Sequence, residues 1–231
     1  MIDIRFIDRN FSKLLTYLSL FSLALFICSF YSIFFEVPDD YLQKELVKIM
    51  YIHVPAAWMS LMLYSLLTLS SSIYLITKNP LYDILASSFA LCGFIMTLVT
   101  LATGSIWGKP AWGTYWVWDA RLTSMLILSF IYLIYILLRN SLPVTERRAA
   151  VTSYFAIFGF INIPIIKFSV DIWNTLHQPA SVFTFSGPTI HSSMLYPLLM
   201  IFFAYLSFSF AVVVVEMKTE IYLRKLRRIN I

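Results

Sequence analysis

The sequence predicts an all-α, polytopic membrane helix bundle of about six transmembrane helices. Three observations lead there: a lipid-like composition, charge-free runs of spanning length, and a one-sided distribution of lysine and arginine. Of the 231 residues, 60% are hydrophobic and 13% are charged, where a soluble domain carries about 25% charged residues. A helix rises about 1.5 Å per residue, so about 20 apolar residues cover the roughly 30 Å hydrocarbon core.

No charged residue falls between Lys13 and Glu36, Lys48 and Lys78, Asp83 and Lys109, or Arg121 and Arg139. The interval from Arg148 to Lys167 makes a fifth run, and Ile190 to Val215 a sixth. The expected spans are 14–35, 53–77, 84–106, 121–139, 149–169 and 190–215, within one membrane domain covering 1–231. No repeat, low-complexity tract or linker marks a second domain. The first run is too long for a signal-peptide core, and Phe35-Glu36-Val37-Pro38 replaces a small-residue cleavage site. It is expected to remain as an anchor.

Six spans put both termini on one side, and basic residues decide which side. One set holds Arg5, Arg9, Lys13, Lys78, Arg139, Arg147, Arg148, Lys218, Arg224, Lys225, Arg227 and Arg228. The other holds Lys44, Lys48, Lys109, Arg121 and Lys167. Basic loops are retained in the cytoplasm, so the richer set and both termini are expected there. The net charge of +5 then has anionic headgroups as its natural counter-charge, and membrane lipid, not nucleic acid, is the expected partner. Cys28 and Cys92 stand alone inside hydrophobic runs, which excludes a disulfide framework, a zinc knuckle or a CxxCH heme-attachment motif.

The connections on the cytoplasmic side are short turns, Lys78-Asn79-Pro80 and Asn140 to Arg148 with Pro143. Those outside are longer. Glu36 to Met50 carries Lys44, Glu45 and Lys48 in a pattern that suits a short surface helix. The second outer loop, 106–120, contains Trp107, Trp112, Trp116 and Trp118, and the third runs from Val170 to Thr189. All six tryptophans, with Trp58 and Trp173, fall on the outer half, whereas an aromatic belt would populate both interfaces.

Indoles at this density make a rigid apolar platform with polar N–H edges, a surface that suits a large planar ligand such as a porphyrin. Gly108, Pro110 and Gly113 set the bends of the loop. Alternation with Val117 in an extended backbone points Trp116 and Trp118 to one face. All three histidines also lie on the outer half: His53 opens the second helix ahead of Pro55, His177 follows the fifth span, and His191 opens the sixth. Two neutral imidazoles from different segments can take both axial positions of a heme iron above the tryptophan loop, with His53 and His177 the first pair and His191 in reserve. Asp119 and Arg121 close the loop, where Asp119 either caps the next helix or meets a heme propionate. Lys167 and Asp171, one turn apart, are expected to pair.

The segment Trp112-Gly113-Thr114-Tyr115-Trp116-Val117-Trp118-Asp119-Ala120-Arg121 resembles the WGxxWxWD signature of heme-handling membrane proteins. Three further segments narrow the likeness: Tyr51-Ile52-His53-Val54-Pro55-Ala56-Ala57, Thr103-Gly104-Ser105-Ile106-Trp107-Gly108-Lys109-Pro110, and Trp173-Asn174-Thr175-Leu176-His177-Gln178. Together they resemble the cytochrome c maturation protein C (heme exporter protein C) family, over most of the chain. The resemblance implies that His53 and His177 ligate the metal of a non-covalent b-type heme, over Trp107, Trp112, Trp116, Trp118 and Asp119. It implies no enzymatic turnover. Heme would be presented to a membrane-tethered heme chaperone, maturation protein E, for c-type cytochromes. Further implied partners are the ABC transporter of maturation proteins A and B and the single-span protein D, in a bacterial or mitochondrial inner membrane. Tyr115 stands where relatives often carry another tryptophan, and 179–194 departs from the family pattern.

Two competing functions carry their own signatures. A transporter subunit moving heme or a small solute would show ionisable residues or broken helices near the midplane, from which the expected spans are nearly free. A scaffold would use the aromatic loop to dock another protein and would not absorb as a hemoprotein.

Overall fold

The computed structural model describes residues 4–41, 43–173, 175–178, 181–184 and 187–229, with side chains from residue 10 to 226. Asn174 of the family-like segment, and the side chains of Arg5, Arg9, Arg227 and Arg228, lie outside the described residues. Among the described residues seven α-helices run α1 (Ile4–Phe35), α2 (Met50–Thr77), α3 (Pro80–Trp112), α4 (Ala120–Ser141), α5 (Glu146–Gly159), α6 (Asn162–Ile172) and α7 (Ser192–Ile229). Six helical segments among these residues are long and apolar enough to cross a membrane, α5 and α6 together making one of them. No strand forms among the described residues.

Helix α2 occupies the middle of the bundle, packing against α3, α5 and α7. Its buried positions Ala56, Met59, Leu63, Tyr64 and Leu67 recur at helical spacing and form one continuous face. Lipid offers no hydrophobic drive between helices, so small residues and interhelical hydrogen bonds hold the bundle. Tyr64 Oη donates to Ala156 O at 3.0 Å, and its ring tip takes the space a side chain at Gly159 would need. Tyr132 Oη donates to Ser60 O at 2.9 Å and lies likewise against Gly93. Such bonds contribute about 0.6 kcal/mol each. Helix α1 lies along α7, joined by Ser22 Oγ to Ala204 O and Ser207 Oγ to Leu18 O.

Three elements differ from the sequence expectation. Helix α3 continues through Trp112, so Trp107 and Trp112 are helical and the irregular part of the tryptophan segment begins at Gly113. Pro110 lies in the last turn, where it cannot donate to Ile106 O, and Gly113, at φ 79°, ends the helix by donating its N–H to Lys109 O at 3.0 Å. The fifth span is broken at Phe160-Ile161 between α5 and α6. The outer Glu36–Met50 segment holds one 3₁₀ turn, Glu45–Ile49, that runs directly into α2.

The bundle has two polar ends. Lys218 Nζ donates to Ser12 Oγ, so the N-terminal part of α1 and the C-terminal part of α7 share one end with the starts of α3 and α5. The other end gathers the start of α2, the end of α3, the tryptophan segment and the residues after α6.

Candidate functional site

His53 sits in the first turn of α2, and Pro55 lies just inside the same helix, where it cannot donate to Tyr51 O. Its ring is buried at 7% exposure against the last third of α3. His53 Nδ1 lies 3.0 Å from Thr103 Oγ1, whose own hydrogen goes to Val99 O at 2.7 Å. The hydroxyl oxygen therefore accepts, Nδ1 carries the proton, and the lone pair is left on Nε2. Gly104 makes the approach possible: a Cβ there would lie 2.9 Å from His53 Cε1. One helical turn past Thr103, the Trp107 ring meets His53 edge-on at 5.8 Å, and Trp107 Nε1 donates to Gln43 Oε1 at 2.6 Å.

His177 follows α6 in a tight turn, its N–H donating to Thr175 Oγ1 at 2.8 Å. Nδ1 lies 3.1 Å from Gln178 O. A carbonyl only accepts, so Nδ1 is again the protonated nitrogen and Nε2 is again free. Burial holds the imidazole below its ordinary pKa, with Arg121 acting the same way, while the Gln178 carbonyl and Asp119 oppose them. The two histidines, 124 positions apart in the chain, bring their ring centres to 6.2 Å with planes 33° apart. Trp112 stands 6.3 Å from His177.

Beyond Gly113 the chain turns back along the rim. Lys109 Nζ donates to Gly113 O and lies 5.2 Å over the Tyr115 ring. Trp116 and Trp118 meet edge to face at 5.5 Å, with Trp118 standing 75% exposed. Asp119 caps α4 by accepting the Leu122 N–H at 2.8 Å. Two buried polar atoms here have no partner, Trp116 Nε1 and Asp119 Oδ2. Arg121 does not pair with Asp119. Its Nε donates to Ser169 Oγ at 3.1 Å and its Nη2 to Ile166 O and Lys167 O, tying α4 to the end of α6. No ion pair joins Lys167 to Asp171 among the described residues; both side chains stand exposed.

The remaining candidates separate from this group. His191 accepts the Ser193 N–H on Nδ1 and stands exposed at the start of α7, where it serves as a cap. Trp58 packs between Phe183 and Phe202 as part of the bundle wall. Among the described residues no three His, Cys, Asp or Glu side chains converge as a metal cluster, and Cys28 and Cys92 are free thiols. Sequence reasoning missed Thr103, Gly104, Gln43 and Thr175, which orient the site without belonging to it. Thr103 and Gly104 open one of the family-like segments, and that was the available signal.

The donor set fits an iron porphyrin. Two neutral imidazoles offer Nε2 lone pairs, indole faces flank them, and an unpaired indole N–H waits at the rim. Fold and site together define a multi-pass helical membrane protein of the heme-handling kind. The chain belongs to the heme exporter protein C family, whose sequence model matches residues 4–231. It is similar to the heme exporter protein C of Bradyrhizobium diazoefficiens, 44% identical over 84% of this chain and 73% of that protein. The heme exporter protein C of Escherichia coli is 37% identical over 83% of this chain and 77% of its own length. A ccmC-like mitochondrial protein of Marchantia polymorpha is 54% identical over 71% of this chain and 69% of that one. The family is a transport-type family of heme export in cytochrome c biogenesis, not an enzyme family.

Proposed function

We propose that this protein holds a b-type heme between His53 and His177 on the outer face of the membrane and passes it on without turnover chemistry. The observation that carries this reading is the pair of imidazoles 6.2 Å apart, each with Nδ1 committed to an oxygen and Nε2 left as an acceptor. A metal bonds an imidazole nitrogen at roughly 2 Å, so rings at this spacing would be near enough for both to hold one iron. Trp107 and Trp112 touch the two rings and would wall the porphyrin, while Trp116, Trp118 and Asp119 form the rim.

His53 and His177 would hold the heme through their Nε2 atoms, and its iron would supply a Lewis acid for those nitrogens. Thr103 and the Gln178 carbonyl fix the tautomers, and Gly104 lets the His53 ring sit flush on α3. The site lies at a bundle end and not at the midplane, which suits hand-over at the surface. The natural recipient is a membrane-tethered heme chaperone, maturation protein E, with the ABC transporter of maturation proteins A and B and the small protein D as further partners. The Lys and Arg distribution supports placing the histidine end outside the cytoplasm. The membrane would be a bacterial inner membrane or its mitochondrial counterpart.

The test is the absorption spectrum of protein purified from membranes. Wild type is expected to show a Soret band that His53→Ala and His177→Ala each remove, and the band should move to a co-expressed chaperone only from the wild type. A wild type without heme absorbance, or a double variant with unchanged heme content, refutes the ligand pair. Labelling that finds the two rings on opposite faces of the bilayer refutes it as well.

A further inference from the structure

The end of the bundle away from the histidines holds a second polar constellation, for which the heme reading has no use. Asp83 at the start of α3 is 3% exposed and accepts from Arg139 at 2.5 and 3.1 Å and from Arg224 at 2.6 Å. Glu220 on α7 accepts from Arg224 Nε at 2.9 Å. Both carboxylates are thereby engaged. Arg148, 7% exposed in the first turn of α5, is left with Glu220 at 3.6 Å, which is an ion pair but no hydrogen bond. Its buried Nε has no partner at all.

Three guanidinium groups against two carboxylates leave one positive charge in excess. Removing such a charge from water costs several kcal/mol unless an anion or hydrogen bonds offset it. The positive end of α5 adds to the same field. Beside Arg148 lies a cavity of about 530 Å³, lined by Arg139, Asn140, Arg148 and Glu220 and walled by Val144 and Leu223. Both of those apolar side chains are 42% exposed. Polar donors within and apolar side chains at the wall match a headgroup whose tails lie in the bilayer. The planar guanidinium fork suits a tetrahedral oxyanion, and basic pockets between spanning helices take lipid phosphates.

We infer that the cavity between the α4–α5 turn and α7 is a binding site for a phosphate group, held chiefly by Arg148. The phosphate would come from an anionic phospholipid or from solution. Binding would complete the donor set of Arg148, neutralise the excess charge and tie the α4–α5 turn to α7.

The full chain in phosphatidylcholine nanodiscs is titrated with phosphatidylglycerol in one arm and inorganic phosphate in the other, with bound adducts counted by native mass spectrometry. Arg148→Gln is expected to weaken the adduct about tenfold, the value of one charge-assisted hydrogen bond. Leu223→Trp, which fills the cavity without touching an ion pair, is expected to weaken it comparably. Phosphatidylglycerol retention lost in both variants supports the site with a lipid source. Retention of inorganic phosphate alone, lost in both variants, supports it with a soluble source. A wild type that retains neither probe, or retention unchanged in the two variants, overturns the proposal. The Soret band of each variant reports that the bundle has folded.

Discussion

At one end of this bundle two neutral imidazoles and a group of indoles surround polar atoms that lack partners. At the other, three arginines and two acids are packed into a buried network that is nearly complete. Both ends are polar, yet they differ in how the polarity is satisfied. In the charged network, removing one member strands the others, so that end is expected to govern stability. The aromatic end leaves Trp116 Nε1 and Asp119 Oδ2 buried without partners, at a cost to the empty protein that a ligand can offset. A site built to receive and release a cargo needs that incompleteness.

The largest expected effect breaks the charged end. Asp83→Ala strands Arg139 and Arg224, and loss of one partner from a buried pair costs about 3–5 kcal/mol. Denaturant unfolding in detergent micelles measures it. A loss under about 1 kcal/mol would show that the network does not carry the stability assigned to it here. Thr103→Val is next and acts on the aromatic end alone. It removes the acceptor that fixes the His53 tautomer, so heme affinity is expected to fall about 10- to 100-fold. Spectral titration with heme reads the change, and the unfolding midpoint should move little.

Trp118→Ala comes third. An exposed rim indole contributes about 0.5–1.5 kcal/mol beyond its area, a loss of roughly twofold to tenfold in heme retention. An effect as large as that of either histidine substitution would mean that the rim, and not the imidazole pair, holds the cargo.

The smallest effect is expected from pH. His177 is held below the ordinary imidazole value of about 6.5, mainly by burial. At about pH 8 it is neutral in both folded and unfolded chains and contributes nothing to the pH dependence. Below that, the unfolded chain takes the proton first, so its contribution to stability falls with falling pH. The decline in retained Soret absorbance should therefore be centred at or below about pH 6.5, and a decline centred above that value contradicts the burial argument.

Much of the aromatic end was legible from the sequence because tryptophan and histidine are rare enough for their clustering to carry information. His53, His177 and the four tryptophans stood out on composition, on sidedness and on family likeness. Sequence reasoning named His53 and His177 as the pair but carried no distance between them. His177 comes from an irregular segment, and only packing shows it 6.2 Å from His53 while His191 turns to cap α7. The charged end was misread. Arg139 and Arg148 looked like solvated loop cations facing headgroups, and Asp83 like a mere span boundary, because lysine and arginine at helix ends are ordinary. Nothing local announces that Asp83, Arg139 and Arg224 converge from three helices.

By itself the sequence determined that the chain is a six-span helical bundle, since hydrocarbon thickness and backbone hydrogen bonding allow no other use of six apolar runs of that length. The crowding of all tryptophans and histidines toward one end follows from the same patterning. Only the tertiary structure decided which imidazoles face each other, which nitrogen of each stays open, and which arginine is left without a full set of partners. Those outcomes depend on distances of a few ångströms between segments far apart in the chain, and no periodicity within one segment encodes them.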